Sequence, residues 1–93
     1  MEVPSKIDDA AVLAFAIIGD RVEPTGKTKH TVRGKPMPLP AGLAICKYAA
    51  DDGFYLFYCN DRWECMNDTL HATLDLAKRQ AEHEFKGLEW SAL

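Results

Sequence analysis

The apolar residues of this chain fall into short runs that predict β-strands. Residues 10–18 are all apolar, and the turn pair Gly19-Asp20 follows the β-branched Ile17 and Ile18. A run this short, with that ending, favours a strand buried on both faces over a helix. Residues 43–50 and 54–59 form two further apolar runs, separated by a short loop that contains glycine. This arrangement predicts a β-hairpin.

After residue 73 the apolar spacing changes from a strand period to about 3.6 residues, the period of an α-helix. The stripe is formed by Leu74, Ala77, Ala81 and Phe85. Thr73 is placed to cap the N-terminus, and Asp68 or Thr69 is the alternative cap if the helix starts one turn earlier. Gly87 is placed to end the helix in a left-handed conformation. The sequence therefore predicts one C-terminal helix.

The remaining segments are less regular. Proline and glycine divide residues 21–42 so densely that a helix is excluded there. Within this segment, residues 27–33 predict an exposed edge strand whose lysines discourage unwanted pairing. Residues 63–66 predict one more short strand, which a turn at Asn67-Asp68 closes. Residues 1–8 predict a loose terminus.

These elements together predict an α+β fold. With 93 residues, the chain is long enough for one small domain, spanning 1–93, and too short for two cores. We expect an antiparallel sheet of about four strands in β-β-β-β-α order, with the single C-terminal helix packed on one face. Because short turns usually join neighbouring strands, a meander is the expected topology.

Basic residues concentrate in the proline- and glycine-rich segment, although the whole chain has a net charge of −3. This basic strip consists of Arg21, Lys27, Lys29, Arg33 and Lys35, together with His30. One explanation is a solvated edge strand that stays charged for solubility, and another is contact with phosphates or an acidic protein surface. The strip has no aromatic residue that could stack on bases, which weakens the nucleic-acid interpretation more than the protein one.

Three cysteines and three histidines raise the question of a metal site or a reactive thiol. The candidate residues are Cys59, Cys65, His71 and His83. They lack the closely spaced ligand pair that structural zinc sites usually contain. Cys65 and His71 could form a nucleophilic pair, but no third group or oxyanion loop is recognisable. The odd number of cysteines favours reduced thiols. We therefore expect no metal and no cofactor.

The longest unbroken apolar run has nine residues, whereas a membrane helix needs about twenty. No basic segment precedes this run, as a signal peptide would require. The sequence thus predicts a cytoplasmic protein with no membrane partner.

The C-terminal third of the chain, residues 63–85, has a strand, the pair Asp68-Thr69 and a helix rich in alanine and glutamine. This succession resembles the ending of small uncharacterised bacterial proteins, and it is loosely similar to antitoxins of the HicB type. It departs from those antitoxins because it lacks their proline–glycine–cysteine segment before the Asp-Thr pair. The resemblance assigns no catalytic residue. The residues themselves predict that Asp68 and Thr69 order a turn through side-chain to backbone hydrogen bonds and that Trp63 packs on the helix.

The leading functional hypothesis is a small, non-enzymatic protein-binding domain that acts as an immunity protein or antitoxin does. Its partner would be another protein or a second copy of the chain in a homodimer. The alternative is a nucleic-acid-binding module that uses the basic strip, and the third is an enzyme with a metal or thiol site at Cys59, Cys65 and His71. Besides the basic strip, the candidate binding residues lie on and after the apolar hairpin: Tyr55, Phe57 and Trp63.

Overall fold

The computed structural model describes residues 2–93. In chain order its elements are β1 (Lys6–Ile7), β2 (Ala10–Ile17), β3 (Glu23–Pro24), β4 (Thr31–Val32), β5 (Lys35–Pro36), β6 (Gly42–Lys47), β7 (Phe54–Cys59), β8 (Cys65–His71), α1 (Leu74–Glu84), β9 (Phe85–Lys86) and β10 (Ser91–Ala92).

The fold is α+β, as the sequence predicts, but the main sheet has six strands rather than about four. Its order is β1-β2-β6-β7-β8, and β10 also pairs with β2. All of these pairs are antiparallel. The longer strands β2, β6, β7 and β8 also lie in the sheet in chain order, so they form the expected meander. The additional strands β1 and β10 have two residues each. A strand this short cannot show the apolar–polar alternation by which strands are predicted from sequence.

The predicted hairpin is confirmed by β6 and β7, whose register places Ile45 opposite Leu56 and Leu43 opposite Tyr58. These four side chains lie on the face that α1 covers. Ala77 and Ala81 are fully buried against them, because alanine lets the helix backbone approach the sheet closely. The helix begins as predicted: the Thr73 hydroxyl accepts a hydrogen bond from the Leu76 N–H at 3.1 Å. It ends at Glu84 and not at Gly87 as predicted, since Phe85 is already extended.

Strand β2 is not buried evenly on both faces. Its burial alternates along the strand, and the register with β6 shifts between Val12 and Ala14. This bulge reverses which side chains point towards the helix, because one extra residue inverts a two-residue repeat. The extra residue is Leu13, whose carbonyl accepts the Leu93 N–H at 3.1 Å and so ties the C-terminal tail to the sheet.

A second apolar cluster fills the sheet face opposite α1. Trp63 lies there, with its ring 6.0 Å from that of Phe15 and perpendicular to it, so the expectation that it packs on the helix is wrong. Ile7 is buried in the same cluster. The predicted loose terminus is therefore ordered from β1 onward, because the apolar Ile7 side chain reaches this core.

Two further local predictions are wrong. Residues 27–33 do not join the main sheet: β4 pairs only with β5, across a turn at Arg33-Gly34 in which both residues have positive φ. Asp68 and Thr69 do not form a turn either, because β8 continues through them to His71. β8 lies at the sheet edge, where a strand can carry polar side chains without burying them.

The helix α1 has 11 residues. Across residues 2–93, no helix has both the length and the apolar character that crossing a membrane requires.

Candidate functional site

The proline- and glycine-rich segment curves over the C-terminal end of α1 and borders an open pocket of about 460 Å³, called here the proline pocket. Its apolar lining consists of Pro24, Pro36, Met37, Pro38, Leu39, Pro40 and Phe85. Its polar lining includes Thr28, Lys29, His30 and Glu84. An apolar cavity of this size with a few convergent polar groups is the usual form of a binding site.

Backbone pairing holds the start of this segment against the helix end. β3 pairs antiparallel with β9, so Pro24 lies opposite Phe85. Next to this pair, the Thr25 hydroxyl donates to the His83 carbonyl at 2.7 Å, and the Thr25 N–H donates to the Glu84 carbonyl at 2.8 Å. These contacts satisfy carbonyl groups that the last helical turn leaves without partners. The helix end therefore acts as the base on which the pocket is built.

The Glu84 side chain anchors the segment a second time, from the floor of the pocket. Glu84 is only 5% exposed, and each carboxylate oxygen accepts two hydrogen bonds. Oε1 accepts from the Thr28 hydroxyl at 2.8 Å and from His30 Nε2. Oε2 accepts from the Gln80 amide at 3.0 Å and from the Tyr58 hydroxyl. Four donors complete the usual hydrogen-bonding capacity of a carboxylate, which is how a buried charge is tolerated.

His30 connects this carboxylate to the sheet. Its ring lies 4.5 Å from the ring of Tyr58, centroid to centroid, and its Nδ1 accepts a hydrogen bond from Asn67 Nδ2 at 3.1 Å. With Nδ1 as the acceptor, His30 carries its proton on Nε2 and donates it to Glu84. Both ring nitrogens are thus engaged in hydrogen bonds within the protein. These bonds attach the proline- and glycine-rich segment to the helix end and to the sheet.

Electrostatics agree with a charged, anchored Glu84. Burial by itself would raise the pKa of this carboxyl, but the hydrogen bonds from Tyr58, Gln80, Thr28 and His30 outweigh burial and lower it. The pKa of Tyr58 is raised, first by its burial and then by its hydrogen bond to Glu84. At neutral pH the pair is therefore a carboxylate and a protonated phenol.

His71 lies further along β8, where Thr69 Oγ1 is 2.7 Å from its Nε2. Burial lowers the pKa of His71, although the charge of Glu84 opposes that shift. We therefore expect His71 to be neutral in the folded protein at neutral pH.

Acidification is expected to destabilise the protein in two steps. Because the pKa of His71 is lowered from 6.5, its contribution to stability is complete above about pH 6.5 and is lost as the pH falls. The pKa of Glu84 is lowered from 4.5, so its contribution is lost only below about pH 4.5. In urea unfolding followed across this range, His71→Gln should remove the upper step and Glu84→Gln should reduce the lower one. Asp51 also contributes to the lower step, because hydrogen bonds from Gly53 and Tyr55 lower its pKa. A profile that both variants leave unchanged would contradict these assignments.

The structure brings some of the predicted binding residues together at the proline pocket and places others elsewhere. Lys29 and His30 line the pocket, and Lys27 and Lys35 are exposed next to lining residues in the chain. Arg33 lies in the turn between β4 and β5. Arg21 lines a separate depression near Gly87.

Gly87 requires the absence of a side chain at this depression. Its φ is +91°, and a Cβ atom there would come within 2.6 Å of the Arg21 carbonyl oxygen.

The hairpin residues lie on the sheet face opposite α1, away from the pocket. Tyr55 is half-buried there, and its hydroxyl donates to Asp51 Oδ2 at 2.8 Å. Phe57 and Trp63 are buried in the core, so they present almost no surface to a partner. Their aromatic character, read in the sequence as a contact surface, serves core packing instead.

The three cysteines are free thiols in or beside the second apolar cluster. Burial raises the pKa of Cys46 to about 12 and that of Cys65 to about 11, and it raises the pKa of Cys59 as well. Since the thiolate is the reactive form, all three are poor nucleophiles at neutral pH. Within residues 2–93, no three side chains of histidine, cysteine, aspartate or glutamate are arranged to hold a metal ion.

The sequence interpretation missed Glu84, the centre of the network. A signal was present, because Glu84 follows Ala77 by seven residues and Ala81 by three and so shares their buried helix face. Three of its hydrogen-bond donors come from distant parts of the chain: Thr28, Tyr58 and His30, whose ring is itself bonded to Asn67. No local sequence pattern indicates that these residues meet.

Comparison with known proteins adds no assignment: no protein-family model, no curated protein and no solved structure matches this chain.

Proposed function

We propose that this chain is a small, non-enzymatic protein-binding domain whose contact surface is the proline pocket. The partner segment would be acidic and carry an apolar anchor residue. The domain would act by occupying a surface of its partner, as an immunity protein or antitoxin does. The observation that carries this proposal is an apolar cavity bordered by lysines without internal partners.

The cavity supplies the apolar half of the interaction. Leu39 is 61% exposed at the lining, and Met37 and Pro38 lie beside it. A short apolar side chain entering such a cavity would cover surface that is now in contact with water. Four prolines in the lining restrict the backbone, so little conformational entropy remains to be lost on binding.

The lysines supply the charged half. Lys27, Lys29 and Lys35 are exposed, and none of them forms an ion pair with any residue in 2–93. Unpaired charges at a rim attract an oppositely charged partner and set its orientation. The pocket has no exposed phenylalanine, tyrosine or tryptophan for base stacking, since Phe85 is buried and the His30 ring packs against Tyr58. This combination favours an acidic peptide over a single-stranded nucleic acid.

Two other observations support a binding role over an enzymatic one. The His30–Glu84 pair has no free proton acceptor towards the pocket, because its hydrogen-bonding positions are filled. The thiols have raised pKa values and lie outside the pocket lining.

The binding test uses a capped peptide with leucines between glutamates, a matched peptide with lysine in place of glutamate, and an oligouridine of equal charge. We expect the acidic peptide to bind, measured by calorimetry, with an affinity that falls as salt screens the lysines. Lys29→Glu and Leu39→Ser should each weaken binding about tenfold or more, equivalent to at least about 1.4 kcal/mol.

Matched controls carry the same changes at exposed positions outside the pocket, Lys6→Glu in β1 and Leu93→Ser at the C-terminus. Both should leave the affinity unchanged within about twofold. Preference for the lysine peptide, or equal losses in pocket and control variants, would refute the proposal. Tighter, salt-sensitive binding of the oligouridine would favour the nucleic-acid alternative.

A further inference from the structure

The outer edge of β8 is a second surface, and it shares no residue with the lining of the proline pocket. β8 ends the main sheet on one side. On the other side, β2 is covered by β1 near one end and by β10 near the other. Within residues 2–93, β7 is the only strand paired with β8. The fold thus covers one edge of its sheet and leaves the opposite one open.

The hydrogen bonds of β8 show which backbone groups face outward. The Asp68 N–H donates to Asn67 Oδ1 at 2.9 Å instead of serving as a rung between β7 and β8. In an antiparallel ladder, alternate residues direct their N–H and C=O groups to opposite sides of the strand. Leu70 therefore shares the outward orientation of Asp68. The Leu70 N–H and C=O and the Asp68 C=O are the groups that a further strand would meet.

The side chains of this edge do little to prevent pairing. Natural sheet edges are usually blunted by lysine, proline, bulges or a covering segment. β8 contains no lysine, arginine or proline, and its irregularity lies near its start, where Cys59 pairs with Cys65. Leu70, in contrast, is 58% exposed and lies opposite the half-buried Tyr55. An added strand would cover this leucine.

The charge at the edge indicates what kind of strand fits. Asp68 is exposed and forms no ion pair in the described part of the chain. We propose that the β8 edge binds an extended segment of a partner protein, antiparallel to β8, with lysine or arginine opposite Asp68 and an apolar residue opposite Leu70. Opposite charges and apolar pairs at directly facing positions both stabilise a sheet.

A second copy of the chain fits this edge less well in the antiparallel register centred on Asp68. In that register, which pairs Met66 of one copy with Leu70 of the other, the two Asp68 carboxylates face each other directly. Like charges at facing positions destabilise a sheet. A partner strand with a cation at that position removes this repulsion.

The probe is a capped peptide, Thr-Val-Thr-Lys-Thr-Val-Thr, which can place its lysine opposite Asp68 and a valine opposite Leu70. Binding is followed by amide chemical shifts of the labelled protein. N-methylation of the valines and lysine removes the amides that would face β8, and N-methylation of alternate threonines removes only amides that face away. We expect the first peptide to lose about tenfold or more in affinity and the second to bind within about threefold of the parent.

Variants of the protein test the same geometry. Leu70→Pro removes the outward N–H without removing a hydrogen bond to β7, and proline is tolerated on an edge strand. It should abolish peptide binding, whereas Leu70→Val should retain it. Asp68→Lys should reverse the preference between the lysine peptide and one with glutamate in its place. The methylated peptides need no variant protein, so they decide the question even if Leu70→Pro does not fold.

Equal binding of the two methylated peptides would overturn the proposal. So would a parent protein that forms a concentration-dependent dimer in sedimentation while Leu70→Pro stays monomeric, since β8 would then pair with a second copy. The acidic peptide used for the proline pocket is the internal reference: its binding should be unchanged in Leu70→Pro, so the two surfaces can fail independently.

Discussion

Phe85→Ala is expected to lower the free energy of unfolding by about 3–5 kcal/mol, a large part of the stability of a domain of this size. Phe85 is buried between the helix end and the sheet, in the cluster that contains Leu43, Ile45 and Tyr58. Alanine would leave a cavity there, because neighbours held by the β6–β7 hairpin can close it only in part. Denaturant unfolding followed by fluorescence or circular dichroism measures the loss.

The matched control for this prediction is Leu76→Ala, on the exposed face of the same helix. It also shortens an apolar side chain but leaves no cavity, so it should change stability by no more than about 0.5 kcal/mol. If Phe85→Ala and Leu76→Ala gave equal losses, the docking of the helix end described above would be incorrect.

The second large effect is expected at the carboxylate beneath the pocket. Glu84→Ala should destabilise the protein by about 3–5 kcal/mol, because a buried donor left without its acceptor costs about 1–3 kcal/mol and several donors are affected together. Four donors, from Thr28, His30, Tyr58 and Gln80, lose their acceptor at once. The proline- and glycine-rich segment also loses its side-chain attachment to the helix, so binding of the acidic peptide should weaken as well.

Two variants separate the charge from the packing. Glu84→Gln keeps the volume but turns one acceptor into a donor that faces other donors, and it should cost about 1–3 kcal/mol. Glu82→Ala removes a carboxylate from an exposed position two residues away and should be neutral within about 0.5 kcal/mol. Equal stability of Glu84→Ala and Glu82→Ala would show that the network does not anchor the segment.

The hairpin and the helix could be predicted from the sequence because their signals are local. A short glycine-containing loop between two apolar runs favours a hairpin whatever surrounds it. Thr73 caps the helix through a hydrogen bond to an amide only three residues away. Such interactions join residues that are only a few positions apart in the sequence, so they do not depend on the rest of the fold.

The edge of the sheet was predicted incorrectly because edges are decided by distant pairing. The polar and charged residues of 27–33 alternate in a way that predicts an exposed strand. β2 pairs directly with β6, however, and this register leaves residues 27–33 no place in the main sheet. Asp68 and Thr69 favour turns by composition, but pairing with Phe57 and Leu56 extends β8 through them. Polar residues are tolerated both in an exposed edge strand and in a loop or turn, and their sequence pattern does not distinguish the two.

The candidate site divides in the same way. By itself the sequence determined that a basic, proline-rich strip separates the first strand from the hairpin, and Lys29 and His30 of that strip line the pocket. Only the tertiary structure decided that this strip closes over the helix end, because Glu84 meets donors that stand 26 to 56 residues away in the chain. A buried carboxylate requires several donors at once, and only the folded chain brings them to one place.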